Sequence, residues 1–408
     1  LAAHTPAEIV SADLAPLALE LACWCTRDPA ELTWLTPPPT GPLAQARELL
    51  QTLGALDGDA RITAHGREMH RLGTHPRLAH LLLRAQQAGV ASTGCALAAL
   101  LGERDILRTR PNERDADLRT RLELLARQSN AVAHPDANQH ALRQVQRSAE
   151  SFARQLGLRR KTAVDVHEAG WLLASAYPDR IGRARTPGSG RYQLSNGRGA
   201  FFAEPQSLAS SEFLVVAELD AGQREARIFA AAPLSLSDIE QHFGDAIQDA
   251  ERVYWDEREQ AVLARRQRNL GQLILGDVAL PDPDRAQIAV AMLEGIRSMG
   301  LDALPWNAEL RQWQARVLLS RDAQPEALPP WPDVSDAALL ATLESWLLPW
   351  LDGISRRAHL SRLDLRAALH GVFSWQQQQR LDEFAPAHLA VPSGSRIALD
   401  YLDGPIPS

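Results

Sequence analysis

Leu142, Val145, Ala149, Phe152 and Leu156 step by three and four, the spacing of one buried helix face. Similar stripes fill the first 175 or so residues. Leu14, Leu17, Leu21 and Trp24 follow a cap expected at Ser11. Leu43, Ala46, Leu49, Leu50 and Leu53 follow a cap expected at Thr40, with Gly54 just past the helix end. Pro37-Pro38-Pro39 forces an extended entry to that helix, because each proline disfavours helix at the residue before it. Residues 55–63 predict a small two-stranded wing turning at Asp57-Gly58, with Thr63 capping the next helix. Leu97, Leu100 and Leu101, then Leu118, Leu122 and Leu125, extend the helical pattern. A further helix is expected from Thr162, carrying Val166, Ala169, Leu172 and Leu173 to Tyr177-Pro178.

Beyond Tyr177 the period drops to two. Arg191-Tyr192-Gln193-Leu194-Ser195 alternates, and Gly188, Gly190, Gly197 and Gly199 punctuate it as tight turns would. With the β-formers of 212–220 and 225–231, about five short strands result, which suits an OB-like β-barrel. Residues 253–256, 259–268 and 273–280 predict further strands, and helices are expected over 284–299, 307–320, 336–348, 361–371 and 376–384. A hairpin over 388–402 would turn at Pro392-Ser393-Gly394. Trp306, Trp313, Trp331, Trp346, Trp350 and Trp375 crowd this half, most of them expected in the core and at domain contacts. The fold class expected is a multidomain α+β chain. Its parts are a winged helix (1–75), a ratchet-like helical bundle (76–165), an OB-like barrel (166–235) and a mixed α/β C-terminal extension (236–408).

Composition narrows the classes. A chain of 408 residues exceeds one compact core, and 45% hydrophobic with 23% charged residues is ordinary globular composition. Cys23, Cys25 and Cys95 cannot form a disulfide framework, and Cys-x-Cys alone is poor zinc spacing, so a reducing, cytoplasmic setting is expected. No run of about 18 apolar residues predicts a membrane span. The chain begins with Leu1, not Met, and is expected to be a fragment of something longer.

Against a formal charge of −7, residues 180–199 carry Arg180, Arg183, Arg185, Arg191 and Arg198 with no Asp or Glu. Lys161 is the only lysine, so anion contacts here would be made by guanidinium forks. A basic, glycine-punctuated β-segment in an acidic chain is a candidate phosphate-facing surface, weighed against a merely solvated hairpin. Tyr192 would either stack on a base or point into the core. On the long helix, Arg143, Arg147 and Arg154 lie about whole turns apart, with Glu150 between them; they are a candidate strand-facing row or a solvated face.

Catalytic and metal signals are weak. His65, His70, His75 and His80 recur every five residues, but five helical steps rotate by about 500°, so they share no face. His167-Glu168 lacks a second zincin histidine, no Gly-x-Ser-x-Gly elbow occurs, and Asp400 and Asp403 are expected as surface or turn residues. No Gly-x-x-x-x-Gly precedes Arg160-Lys161-Thr162, and no Asp-Glu-x-His is present. No catalytic or metal residue is therefore assigned.

Several words occur in a telling order: Asp13-Leu14-Ala15, Pro37-Pro38-Pro39, Ala46-Arg47-Glu48-Leu49-Leu50, Leu53-Gly54-Ala55-Leu56, Thr63-Ala64-His65-Gly66-Arg67 and His75-Pro76-Arg77-Leu78-Ala79. Over about 90 residues they resemble the winged-helix and bundle region that follows the motor of DEAH/RHA-type helicases. Tyr177-Pro178-Asp179-Arg180-Ile181 and Arg191-Tyr192-x-Leu194-Ser195-Asn196-Gly197-Arg198-Gly199-Ala200 most resemble the bacterial HrpB branch, and residues 236–408 resemble its C-terminal extension. Family members run on past this chain's end, so that end too is expected to be truncated.

The resemblance implies the accessory half of an ATP-dependent RNA helicase, one side of a channel for single-stranded RNA, with DNA left open. Its partners would be that RNA and the RecA-like motor domains of the same protein, which would hold ATP and Mg; no cofactor is expected in this chain and no membrane is involved. The alternative is a protein-interaction scaffold that docks through the Trp-rich C-terminal region. With no phosphate loop, the purified chain should show no RNA-stimulated ATP turnover above background. Turnover that tracks with it through purification would overturn that expectation.

Overall fold

Capping and turn chemistry set where the first helices begin. The computed structural model describes residues 7–108, 114–127, 136–159, 162–220, 225–391 and 396–402. In α1 (Ala15–Cys23) the first turn is held by Asp13, whose Oδ1 accepts the Ala15 N–H at 2.8 Å; Ser11 instead donates back to Glu8. Thr40 is the first residue of α2 (Thr40–Thr52), not its cap; Pro39 takes that place with no side-chain bond. The Asp57 carboxylate accepts the N–H groups of Asp59 and Arg61 at 3.0 and 2.8 Å, closing a turn with one antiparallel bridge, Leu56 to Ile62. Thr63 caps α3 (Ala64–Arg71) as expected, accepting the Gly66 N–H at 2.9 Å. Gly66 has to be glycine: a Cβ there would stand 2.2 Å from the Ala55 carbonyl oxygen.

Next come α4 (Pro76–Gln87), α5 (Ala91–Gly102), α6 (Leu118–Ala126), α7 (Gln139–Gln155) and α8 (Ala169–Ala176). The last starts later than expected, after a 3-10 turn at Val166–Glu168. Helix α5 is the buried axle, with Cys95, Ala96, Leu97, Ala98 and Ala99 all inside. Its small side chains let α4 close on it; a Cβ at Gly94 would lie 2.3 Å from that of Ala85.

Five strands form a closed barrel in the order β1-β2-β3-β5-β4: β1 (Ile181–Ala184), β2 (Arg191–Leu194), β3 (Gly199–Phe201), β4 (Phe213–Leu219) and β5 (Glu225–Leu234). β3 and β5 pair in parallel and the other neighbours are antiparallel. β4 is buried on both faces, which explains its unbroken apolar run. Phe213, Val215 and Ala217 join the helical core, whereas Leu214 and Val216 fill the barrel with Tyr192, Leu194 and Ile228. Helix α9 (Leu236–Phe243) follows, started by a Ser235/Asp238 capping box.

All of this lies in one compact unit, Leu1–Gln248 with Asn269–Leu275, so the regions expected at 1–75, 76–165 and 166–235 share one core. A second unit comprises Asp249–Arg268 and Gly276–Ser408. The strands β6 (Ile247–Asp256), β7 (Ala261–Leu270) and β8 (Leu273–Ala279) form a sheet in that order, and the unit boundary runs through them. The second unit continues with α10 (Arg285–Met299), α11 (Ala308–Ala323), α12 (Asp336–Ala341), α13 (Leu343–Trp346), α14 (Leu365–His370) and α15 (Trp375–Phe384). The helix expected over 336–348 is thus interrupted at Thr342, and that over 361–371 is a 3-10 segment, Arg357–Arg362, followed by α14.

Trp313, Trp331 and Trp346 are core residues of this unit, as expected, while Trp350 and Trp375 are exposed. A two-stranded hairpin, β9 (His388–Ala390) with β10 (Arg396–Ala398), ends the described chain. Its expected turn at Pro392-Ser393-Gly394 lies outside the described residues, as do Lys161 and Asp403. Among the described residues no helix is long and apolar enough to cross a membrane.

One buried fork joins the helices of the first unit to its barrel. The Arg77 guanidinium meets Asp179 at 2.6 and 3.1 Å, donates to the Ala176 carbonyl at 2.8 Å, and lies 4.8 Å from the centre of the Tyr177 ring. Arg77→Gln should lower unfolding free energy by about 3 kcal/mol, the lower edge for breaking a buried pair, since Asp179 keeps some water. A urea midpoint within error of wild type would contradict this.

Candidate nucleic-acid interface

The fold brings acids to the basic hairpin from outside it. Arg183 on β1 and Arg185 just after it alternate with Gly182 and Ala184 and so project from the barrel wall. Arg183 donates to Glu212 at 2.9 Å and also to the Ile274 carbonyl. Arg185 binds Glu225 at 3.1 Å and Gln193 at 3.0 Å, and Arg191 pairs with the other oxygen of the same Glu225. One carboxylate thus serves two guanidiniums, leaving a single net positive charge on that patch. Arg198 is exposed, with Asn196 accepting its backbone N–H at 3.0 Å.

Arg180 and Tyr192 require correction. Arg180 is half-buried: it donates to the Ala217 carbonyl at 2.8 Å, lies 4.9 Å from the Tyr177 ring centre, and has its pKa lowered by burial first and the Arg77 guanidinium second. It ties the start of β1 to β4 and is not part of an open face. Tyr192 is fully buried, its hydroxyl shared between the carbonyls of Leu208 (2.9 Å) and Ser211 (3.0 Å), its ring edge-on to Phe202. The inward placement therefore holds, and no base can stack on it.

The glycine turn after β2 is also occupied. Gln272 donates its N–H to the Ser195 carbonyl at 2.9 Å. Gly271 makes this approach possible: its φ is +56°, and a Cβ would stand 2.5 Å from the Ser195 oxygen. Leu270, Leu273 and Leu275 anchor the same segment in the core. Between this segment and β1–β2 lies a cavity of about 650 Å³, lined by Arg183, Arg185, Gln193, Ser210, Glu212 and Gln272 among others.

Helix α7 is arranged differently. Asn138 caps it, and Leu142 and Val145 bury one face. Ser148 donates to Glu103 at 2.7 Å and so fixes the helix's rotation. Arg143, Arg147 and Arg154 are exposed on one side. Arg143 donates to the Gln139 carbonyl at 3.2 Å. Among the described residues Arg147 and Arg154 have no ion-pair partner, which leaves two exposed guanidiniums in a row.

The histidine series holds no metal cluster: among the described residues no group of three or more metal-capable side chains occurs. Two of its members nevertheless meet across α3 and α4, with His65 Nε2 and His80 Nδ1 2.8 Å apart. Spacing along a single helix could not reveal this contact. Burial lowers both pKa values, that of His80 to about 3. His75 bonds Asp13 at 3.1 Å and, as the main cause, lowers its pKa to about 2.

Both shifts leave the folded state with fewer protons than the unfolded one at acid pH. Stability held by His80 should fall from about pH 6.5 towards 3, by up to about 1.4 kcal/mol per pH unit, and that held by Asp13 from about 3.8 to 2. Urea midpoints of His80→Gln should therefore vary less with pH between 6.5 and 4 than those of wild type. Parallel curves would contradict the assignment.

Comparison with known proteins adds three findings. Residues 246–280 match the connector region of the ATP-dependent RNA helicase HrpB, and residues 346–408 match the family described as ATP-dependent helicase C-terminal. The chain is 38% identical over 402 residues to ATP-dependent RNA helicase HrpB of Escherichia coli (strain K12), covering 98% of this chain and 46% of that protein. It is also 29% identical over 116 residues, 28% of this chain, to probable ATP-dependent RNA helicase DHX35 of Homo sapiens, covering 16% of it. The crystal structure of E. coli DExH-box NTPase HrpB superposes with a TM-score of 0.57 at 36% identity, covering 100% of this chain and 47% of that one. A second crystal structure, of E. coli DEAH/RHA helicase HrpB, gives 0.58 at 36% identity, with 100% and 48% covered. The chain spans about half the length of the HrpB proteins it matches.

Proposed function

Because this chain corresponds to the C-terminal half of an HrpB-like helicase, we propose that it is the nucleic-acid-binding accessory half of an ATP-dependent RNA helicase. In this reading residues 40–71 act as a winged helix, the helices around α5 as a ratchet-like bundle, and the five-stranded barrel as an OB-like domain. Together they close one side of a single-strand channel in the cytoplasm. RecA-like motor domains of the parent protein supply ATP and Mg and pull the strand.

The observation that carries the reading is the exposed arginine row of α7, which has no carboxylate partner among the described residues. Arg143, Arg147 and Arg154 rise by about 6 and 10 Å along the axis, so their guanidiniums can follow successive phosphates without reading bases. The barrel contributes less, because an incoming phosphate must displace Glu212 or Glu225 before Arg183, Arg185 or Arg191 is available. A second reading, a protein-interaction scaffold, draws on the exposed Trp350 and Trp375 of the second unit.

Salt dependence of single-stranded RNA binding separates the contributions, since each phosphate neutralised adds about −0.7 to the slope of log affinity against log salt. Arg143→Gln, Arg147→Gln and Arg154→Gln together should shallow the slope by about 2, equally for different sequences. Arg183→Gln with Arg191→Gln should change it by less. Binding that is absent at every salt concentration would favour the scaffold. Glu225→Gln should tighten binding by releasing Arg185 and Arg191; weaker binding would show that this carboxylate only holds the barrel arginines in place.

A further inference from the structure

The second unit contains a basic cleft that the channel reading does not use. Its back wall is built where residues 355–357 add to the start of β7: Val262 N–H donates to the Ser355 carbonyl at 2.8 Å, and Arg357 N–H to the Gln260 carbonyl at 3.0 Å. Ala261 and Arg356 form an antiparallel bridge there. Gln260 turns the chain with a φ of +48°, and its side-chain oxygen accepts from Arg357 at 3.3 Å. The resulting cleft of about 530 Å³ is lined by Glu259, Gln260, Pro305, Arg356, Arg357 and Ser361 among others.

The arginines of this unit fall into two kinds, and Arg252, Arg258, Arg265 and Arg285 share with the cleft the lack of a carboxylate partner among the described residues. Arg297, Arg311, Arg316, Arg321 and Arg366 each hold a carboxylate. Arg356, Arg357 and the neighbouring Arg362 are exposed and hold none among the described residues. Glu259, on the same cleft, likewise has no cation within ion-pair distance among the described residues. The cleft thus offers two anion-binding forks beside one free hydrogen-bond acceptor.

We propose that this cleft binds the phosphate–ribose backbone of RNA, as a contact separate from α7. Arg356 and Arg357 take a phosphate oxygen pair by charge-assisted bonds, and Ser361 can donate a third. Glu259 accepts from a ribose 2′-hydroxyl, the group that distinguishes RNA from DNA. An acidic protein segment fits less well, because its carboxylate side chains bring only acceptors and would face the Glu259 carboxylate with like charge.

The test uses the whole chain with a short oligouridylate and its deoxy counterpart, read by fluorescence anisotropy over a range of salt. Arg356→Gln with Arg357→Gln should shallow the salt slope by about 0.7 for both, the share of one phosphate, whether or not the three α7 arginines are also replaced. Persistence in the α7 background separates this proposal from the channel reading: either can fail while the other stands. Glu259→Gln should reduce the preference for RNA over DNA by about fivefold, the difference between a hydrogen bond to a charged acceptor and one to a neutral acceptor. Photo-cross-links from thiouridine-substituted RNA should map to residues 355–362 and vanish in the double variant. Since both arginines are exposed, the urea midpoint should not move. An unchanged slope, no cross-link in that segment, or displacement of the RNA by polyglutamate at equal charge would overturn the proposal.

Discussion

The Arg77 fork is the contact on which the first unit's geometry depends. Its guanidinium is buried, yet it reaches the end of α8 through Ala176, the Tyr177 ring and the carboxylate of Asp179 immediately before β1. A buried charge left without such partners would cost several kcal/mol, so α4 and the first barrel strand are fixed relative to each other. The same constraint explains the Tyr177-Pro178-Asp179-Arg180 word. It reads as the start of a basic surface, but its tyrosine, aspartate and first arginine form a structural joint.

Electrostatics then divides the arginines into two kinds. Those on the barrel are met by Glu212 and Glu225, so the hairpin is far less positive than its sequence suggests. Those on α7 stay hydrated because the residues that fix the helix, Leu142, Val145 and Ser148, lie away from the arginine row. Exposed pairs of the barrel type contribute little to stability, but each lowers the local potential that an approaching phosphate experiences. The long helix is therefore the better electrostatic track, even though the hairpin holds more arginines.

How much could be read from the sequence follows from which interactions are local. The α7 stripe, the Thr63 cap and the five barrel strands were legible, because helix period, capping and alternation act within a few residues. The arginine pairings were not: Glu212 lies 29 residues from Arg183, and Glu225 lies 40 from Arg185 and 34 from Arg191. The Glu225 pairs exist because β3 pairs with β5 in parallel, and the Glu212 pair because β4 runs antiparallel beside β1. For Tyr192 a signal was present, since it shares its period-two face with Leu194, and both are fully buried. The His65–His80 contact joins two helices and leaves no trace in the spacing along either. Thr40 was read one position wrong because Pro39 already supplies an extended residue at the helix start.

Arginine footprinting tests the central claim most directly. Phenylglyoxal modification of the intact chain, mapped by mass spectrometry with and without single-stranded RNA, reports which guanidiniums a phosphate covers. Protection should be strongest at Arg147 and Arg154 and weak at Arg183, whose nitrogens are already held by Glu212 and the Ile274 carbonyl. Strong protection at Arg183 and Arg191 with none on α7 would place the strand on the barrel and contradict the account.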